Sequence, residues 1–192
     1  MSKILYVLDN NQSKDYKYNI KEDTIIYHFS INSSSKVVIN LKVEGVTLHY
    51  YYNNINYDDN IFKIEVNHLV SNTKSFVYNH GVNVKTNKLS YLVDGIVLKN
   101  SPKCICNQEN QIINIKDGKS TICPNLLIDN YDVDSNHSAY IGKFKDDYLF
   151  YMMSRGISIE TCYKLLLRGF LINSSSIDKG RIKEFMQEIE KI

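Results

Sequence analysis

The chain has 192 residues, of which 43% are hydrophobic, and a formal net charge of +2 at neutral pH. This length predicts one domain with at most a small appendage, and it suffices to bury a sizeable core. Because basic and acidic residues are interspersed and the pI is only about 8.2, the composition argues against a nucleic-acid-binding protein. No apolar run approaches the roughly 20 residues that span a membrane. Four cysteines without a signal peptide indicate a reducing compartment, so we expect a cytoplasmic protein.

Short β-prone segments follow one another over the first two thirds of the sequence. A leading strand is predicted within residues 1–8, and residues 9–16 are predicted to form a polar turn. From residue 24 onward, runs rich in Val, Ile, Tyr and Phe are bounded by turn-forming residues: TIIYHFSI, VVINLKV, VTLHYYY, FKIEVNHLV, SFVYN, LSYLVDGIVL and QIINI. Strands spaced roughly 8–12 residues apart fit a sandwich, a barrel or a β-helix, and the pattern alone favours a sandwich.

A tyrosine triplet and a pair of cysteines fall inside these β-prone runs. Alternation divides Tyr50, Tyr51 and Tyr52 between two faces of a strand, so they are not expected to form a platform for stacked bases. Cys104 and Cys106 would point to one face and could contact the same ion. A zinc site needs a second pair of ligands, and free cysteines are commonly buried, so a structural role is the favoured interpretation.

The sequence lacks the signatures of common enzymes. It contains no Walker A motif, no H-E-x-x-H and no G-x-S-x-G. Asp58–Asp59 is predicted to lie in a turn, and Asp146–Asp147 to begin a helix. The histidines His28, His49 and His80 have no ligand-like spacing and are interpreted as structural. We therefore expect the chain not to be an enzyme by itself.

Helical periodicity begins after residue 145. The apolar face of a first helix comprises Tyr148, Leu149, Met152 and Met153. Gly156 then occupies the C′ position at which helices commonly end.

A second helix begins at an N-cap serine, Ser158, and is predicted to end at Gly169. Its apolar stripe consists of Cys162, Leu165, Leu166 and Phe170. After a joint at residues 173–176, a third helix is predicted to extend to the end of the sequence, with one face formed by Ile182, Phe185, Met186 and Ile189. Packing of that face on the hairpin is favoured over its presentation to a partner.

The region from His137 to Phe170 resembles the C-terminal region of proteins of the SufB/SufD family. The matching run contains His137, Ala139 and Gly142, then residues 149–151 and 154–158, and finally Gly169–Phe170. Weaker matches extend the resemblance over about residues 60–172. In that family a right-handed parallel β-helix precedes a small helical domain, and the assembly builds iron–sulfur clusters. The resemblance therefore implies a mainly β fold, with a β-helix over residues 1–144 and a helical domain over residues 145–192 that would cap it.

The resemblance also implies where cluster chemistry would take place. His137 matches a family histidine at the interface of two scaffold subunits, and with Cys123 it is a candidate cluster ligand. Two neighbours depart from the family pattern: Ser135 stands where SufD-like members often carry cysteine, and Asn136 where SufB-like members carry glutamate. A hydroxyl is a poor iron ligand, and His137 could instead be hydrogen-bonded within a turn. We expect at most a transient iron ion or iron–sulfur cluster, and no tightly bound cofactor.

Partner binding is implied by the matched helical run. Phe150, Tyr151, Arg155, Gly156 and Ile157 are candidate contacts to a SufC-like ABC ATPase, although they could instead hold the hairpin on the β-helix. The end of the β-helix would pair with a second copy or with a SufB-type subunit. The main alternative is a divergent β-helix adaptor that binds the ATPase without cluster chemistry. A β-helix lyase acting on polysaccharide is a more distant alternative.

Overall fold

A computed structural model of the protein describes residues 2–172 and 177–192, which form eleven strands followed by three helices. The strands are β1 Lys3–Asn10, β2 Lys14–Ile20, β3 Thr24–Ile31, β4 Ser35–Leu41, β5 Thr47–Asn56, β6 Asn60–His68, β7 Lys74–Asn83, β8 Lys88–Val97, β9 Cys104–Asn114, β10 Lys119–Ile128 and β11 Val133–Gly142. The helices are α1 Asp146–Ser154, α2 Ile159–Leu171 and α3 Lys183–Ile189.

The strands are divided between two parallel sheets. The odd-numbered strands form a six-stranded sheet in the order β1-β3-β5-β7-β9-β11, and the even-numbered strands form a five-stranded sheet in the order β10-β8-β6-β4-β2. Every neighbouring pair is parallel. Each turn of the chain therefore adds one strand to each sheet, and the result is a parallel β-solenoid. This confirms the predicted parallel β-helix. The sandwich is wrong, because strand spacing does not reveal which strands pair.

Inward-facing aromatic and aliphatic side chains fill the space between the sheets. Tyr50, Tyr52, Phe62 and Tyr91 are fully or almost fully buried, and the rings of Tyr52 and Phe62 stack with centroids 3.5 Å apart. Tyr51 faces outward on β5 and stacks on Tyr78 of β7 at 5.0 Å. The predicted division of the tyrosine triplet between two faces is confirmed.

A buried polar cluster near the start of the solenoid connects the first five strands. The Nδ1 atom of His28 lies 2.7 Å from the Tyr50 hydroxyl, and its Nε2 atom lies 2.8 Å from the Asp9 carboxylate. Burial by itself would raise the pKa of Asp9, but hydrogen bonds with His28, Tyr16 and Ser35 lower it below its ordinary value. The predicted turn over residues 9–16 is too long, since only residues 11–13 connect β1 to β2. Asp9 belongs to β1, and β2 begins at Lys14, because pairing with β3 and β4 satisfies the backbone of this polar sequence.

Helices α2 and α3 pack on the outer face of the six-stranded sheet. There they form a second core with the sheet, and the rings of Phe29 and Phe185 lie 4.9 Å apart. The sequence of β3 explains this arrangement, because its central and last residues are buried on both faces of the strand. The helical tail therefore covers a face of the solenoid, and the prediction that it caps the end is wrong.

The helix boundaries depart from the predicted ones in a few places. Helix α2 passes through Gly169 and ends at Leu171, and its buried residues are Cys162, Leu167 and Leu171, whereas Leu165 is exposed. Of the predicted face of α1, only Leu149 is buried. The third helix begins later than predicted, at Lys183, and its predicted packing is confirmed, since Phe185 and Ile189 are buried. The predicted joint at residues 173–176 lies outside the described residues.

The last turn of the solenoid ends in two edge strands, β10 and β11. In β11 no residue is fully buried, and most are exposed. The residues predicted to carry cluster chemistry lie on these two strands. None of the helices in the described part of the chain is long and apolar enough to cross a membrane.

Candidate site for cluster assembly and partner docking

His137 lies in the middle of β11, at the open end of the solenoid. It is aligned with Gln108 of β9, whose side-chain Nε2 donates to the Asn125 carbonyl of the opposite sheet at 3.3 Å. Because Gln108 points inward, alternation places His137 on the inward side of β11 as well. The turn suggested as the alternative environment is absent, since Asp134, Ser135 and Asn136 all belong to the strand.

Cys123 is exposed on β10 and lies on the outer face of the five-stranded sheet. It is aligned with Leu92, which separates the buried residues Tyr91 and Val93 of β8. His137 thus lies on an inward side and Cys123 on an outward one, and the fold does not bring the two candidate ligands together within one face. Among residues 2–172 and 177–192 there is no group of three or more His, Cys, Asp or Glu side chains suited to hold a metal ion.

A polar cluster in the solenoid interior occupies the two turns that precede β11. His68 is fully buried; its Nδ1 and Nε2 atoms lie 2.8 Å from the hydroxyl groups of Thr73 and Ser75, respectively. The Thr73 hydroxyl lies 3.3 Å from the Cys104 sulfur. Cys106 of β9 is aligned with Ser75 on the neighbouring strand β7. Sequence reasoning assigned Cys104 and Cys106 to one face correctly, but it missed their contact with this cluster.

Burial disfavours the charged forms of Cys106 and His68. It raises the pKa of the Cys106 thiol to about 11, an effect that the hydrogen bond with Ser75 opposes and nearby Cys104 adds to. Burial also lowers the pKa of His68 to about 4, although its hydrogen bond with Thr73 opposes this. Both cysteines are buried beside neutral hydroxyl groups, which favours the structural interpretation of the pair.

The turn between α1 and α2 presents the residues predicted to bind a partner. Gly156 has φ +83°, and the N–H groups of Gly156 and Ile157 donate to the carbonyls of Met153 and Met152, which is the pattern of a Schellman motif. Phe150 and Tyr151 are 68% and 63% exposed, so neither is used to hold the hairpin on the solenoid. The predicted C′ glycine and the predicted N-cap Ser158, which accepts from the Thr161 N–H at 3.3 Å, are confirmed.

The side chain of Arg155 stays close to the same surface. Its guanidinium lies over the Tyr151 ring, 5.3 Å from the centroid. Beside the hairpin, an apolar groove of about 350 Å³ runs between α1, α2 and the six-stranded sheet, and its lining includes Tyr140, Phe144 and Leu165. Exposed aromatic rings next to an arginine and an apolar groove are the composition expected of a protein-binding surface.

Comparisons with known proteins agree on one family. The family described as "SUF system FeS cluster assembly, SufBD core domain" matches residues 30–170. The iron–sulfur cluster assembly protein SufD of Bacillus subtilis is 29% identical over 136 residues, which cover 68% of this chain and 30% of that protein. SufB of the same bacterium is 32% identical over 108 residues, or 54% of this chain and 23% of the relative.

A shorter match gives higher identity. A SufBD family protein of Pyrococcus horikoshii is 41% identical over 61 residues, which cover 32% of this chain and 13% of that protein. The chain thus spans less than a third of the length of each of these relatives. The match to the family, by contrast, extends from the end of β3 through the last strand, β11, to α2.

Proposed function

Because the chain belongs to the SufB/SufD family of the SUF system for iron–sulfur cluster assembly, we propose that it is a scaffold component that docks a SufC-type ATPase. The observation that carries this proposal is the family match over residues 30–170, which includes the solenoid from the end of β3 onward and the exposed α1–α2 hairpin. ATP hydrolysis would take place in the partner, since the sequence has no Walker A motif.

The α1–α2 hairpin offers such a partner a binding surface that is anchored to the solenoid. One side of α2 is anchored in the core shared with the six-stranded sheet, through Leu167 and Leu171. The exposed rings of Phe150 and Tyr151 lie on α1, at the other side of the Schellman turn. A movement of a bound ATPase would therefore act directly on the outer face of the solenoid. Iron and sulfide, as the substrates of assembly, would meet at the open end that carries His137.

The open end would pair with a second scaffold subunit through β11. An edge strand exposes unpaired backbone N–H and C=O groups, and proteins commonly protect such edges with lysine or proline. The sequence of β11, VDSNHSAYIG, contains Asp134 as its one charged residue and has no proline. The other edge strand at this end, β10, contains Pro124 and is less suited to receive a new strand.

Docking is tested by co-purification with a SufC-type ATPase and by titration calorimetry. Replacing Phe150 and Tyr151 with serine should weaken binding by more than about tenfold, because exposed aromatic residues are typical interface anchors. Ile61→Ser on the outer face of the five-stranded sheet is the matched control, since Ile61 is also exposed, at 45%. Undiminished binding of the double variant would contradict docking through the hairpin.

A β-helix adaptor without cluster chemistry is the second candidate function. It is favoured by the separation of His137 and Cys123 on different sides of their strands and by Ser135 and Asn136, which depart from the family pattern. The same co-purification, performed under anaerobic conditions with an iron assay, separates the two functions. The ATPase recovered with iron supports the scaffold, whereas the ATPase recovered without iron supports the adaptor.

A further inference from the structure

Two rows of outward-facing side chains cross the six-stranded sheet beside the helices. In the first row, His49 of β5 is followed by Phe76 of β7, with their rings 5.0 Å apart and tilted by 13°. In the second row, Tyr51 is followed by Tyr78, with their rings 5.0 Å apart and tilted by 9°. Both stacks end at β7, because the residues that follow on β9 carry no rings.

Polar residues continue both rows on the last two strands. Asn107 of β9 and Asn136 of β11 follow Phe76 in the first row, and Glu109 and Ser138 follow Tyr78 in the second. Together these six side chains line a groove of about 260 Å³ that opens at the edge strand β11. One wall of the groove is therefore aromatic and the remainder is polar.

The polar groups of the groove are rich in hydrogen-bond acceptors. The Oε1 atom of Glu109 accepts from Gln111 Nε2 at 2.8 Å and lies 3.3 Å from His80 Nε2. The Oε2 atom of Glu109 makes no hydrogen bond within the described residues. Asn107 adds a buried Oδ1 atom without a hydrogen-bond partner in the same part of the chain. No lysine, arginine or histidine is among the described residues that line the groove.

We propose that this groove binds the guanidinium group of an arginine side chain presented by a partner polypeptide. A guanidinium is planar, so it can continue the stack on Phe76 or Tyr78, and its N–H groups can donate to the exposed Glu109 carboxylate. A lysine ammonium cannot stack in this way, and a phosphate would be repelled by Glu109. A polypeptide is the fitting source, because the groove opens along an edge strand at which an extended chain can pair.

The site does not depend on ATPase docking, since it lies on β7, β9 and β11 and shares no residue with the exposed rings of the hairpin. It would let the scaffold select a partner strand that carries an arginine. No residue of β11 itself is an arginine or lysine, so the same strand of a second copy would not supply the cation.

The test uses the full chain and three blocked tripeptides with glycine at both ends and arginine, citrulline or lysine in the middle. Citrulline has the shape of arginine without its charge. In two-dimensional NMR spectra we expect the arginine peptide to shift the side-chain amide signals of Asn107 and Asn136 in a saturable manner. The citrulline peptide should bind at least about tenfold more weakly, because it loses a charge-assisted hydrogen bond.

Single substitutions test whether the arginine peptide binds in the groove. Glu109→Gln should weaken binding of the arginine peptide about tenfold, and Phe76→Leu should also weaken it by removing a ring face. Glu65→Gln on β6 is the control, because Glu65 is an acidic residue of the other sheet. Equal binding of the arginine and citrulline peptides to the wild-type protein would overturn the proposal, as would the absence of saturable shifts. The peptide comparison needs no substitution, so a folding defect in a variant leaves it decisive.

Discussion

His68 lies in the solenoid interior with both ring nitrogens hydrogen-bonded to hydroxyl groups. Burial lowers its pKa from the ordinary value of 6.5 to about 4. Between these two values the unfolded chain binds a proton that the folded protein does not bind. The corresponding stabilisation is therefore complete above pH 6.5 and is lost as the pH falls toward 4, and it amounts to about 3 kcal/mol.

We therefore expect acid to destabilise the protein through this histidine. The free energy of unfolding, measured with urea between about pH 7.5 and about pH 4.5, should fall more steeply for the wild type than for His68→Asn. Asparagine can still bond to Thr73 or Ser75 but does not titrate. The carboxylates titrate in both proteins, so the difference between the two profiles isolates His68. Parallel profiles would show that His68 does not carry this dependence.

Side-chain environments were predictable where they depend on neighbouring residues in the sequence. Alternation along β5 placed Tyr51 on the opposite face from Tyr50 and Tyr52, and helical spacing placed Cys162 in the core. The environment of His68 was not predictable in this way. In a solenoid, each interior contact joins residues of successive turns, as when Ser75 lies next to Cys106, and the sequence carries no repeat that gives this register.

At the scale of secondary-structure elements, the α1–α2 corner depends on one left-handed residue. Gly156 has φ +83°, a conformation that a side chain disfavours, and it places the Ile157 N–H 3.3 Å from the Met152 carbonyl. Gly169, by contrast, is inside α2, where an added Cβ atom would meet nothing within 4 Å. The two glycines of the hairpin should therefore respond in opposite ways to replacement by alanine.

We expect Gly156→Ala to destabilise the hairpin by about 1–2 kcal/mol, because alanine pays the steric cost of a left-handed conformation. Gly169→Ala should stabilise it by up to about 1 kcal/mol, since alanine favours a helix interior. Amide hydrogen exchange of α1 and α2 measures both effects locally. A loss of protection in the Gly169 variant equal to that in the Gly156 variant would contradict this account.

The same two glycines show how far the ends of the helices could be predicted from the sequence. The C′ position of Gly156 followed from the sequence, because the flanking arginine and the next N-cap serine act locally. The end of α2 did not, because the helix continues past Gly169 to bury Leu171 in the core with the sheet. Likewise, β2 was missed in part because its polar residues are ordered by β4, which lies one turn later.

At the scale of the whole molecule, the two ends and two outer faces of the solenoid differ. The six-stranded sheet is covered by α2 and α3 over the last part of its strands, while the strands of the last turn remain exposed. The family resemblance predicted the solenoid and its helical tail, but not that the tail lies on a sheet face. That placement follows from the burial of β3 on both of its faces. In the sequence, β3 is recognisable as an apolar run, but the run does not show which element covers its outer face.

The exposed last turn leads to a prediction about assembly. Ala139 is aligned with Asn110, whose side chain donates to the Ser138 carbonyl, and it lies on the inward side of β11. If a second subunit continues the solenoid at this end, Ala139→Lys would bury an uncompensated charge at the junction. Such a charge costs about 3–5 kcal/mol, so pairing with a second copy or a SufB-type subunit should weaken by at least about a hundredfold.

Sedimentation velocity over a range of concentrations measures this association, alone and with a SufB-type subunit. Asn19→Lys is the control, because it adds the same charge to the exposed edge strand β2 at the opposite end of the solenoid. Pairing at β11 requires that only the Ala139 variant dissociates. If both lysine variants dissociate equally, general charge repulsion is responsible, and if only the Asn19 variant dissociates, the assembly uses the first turn instead.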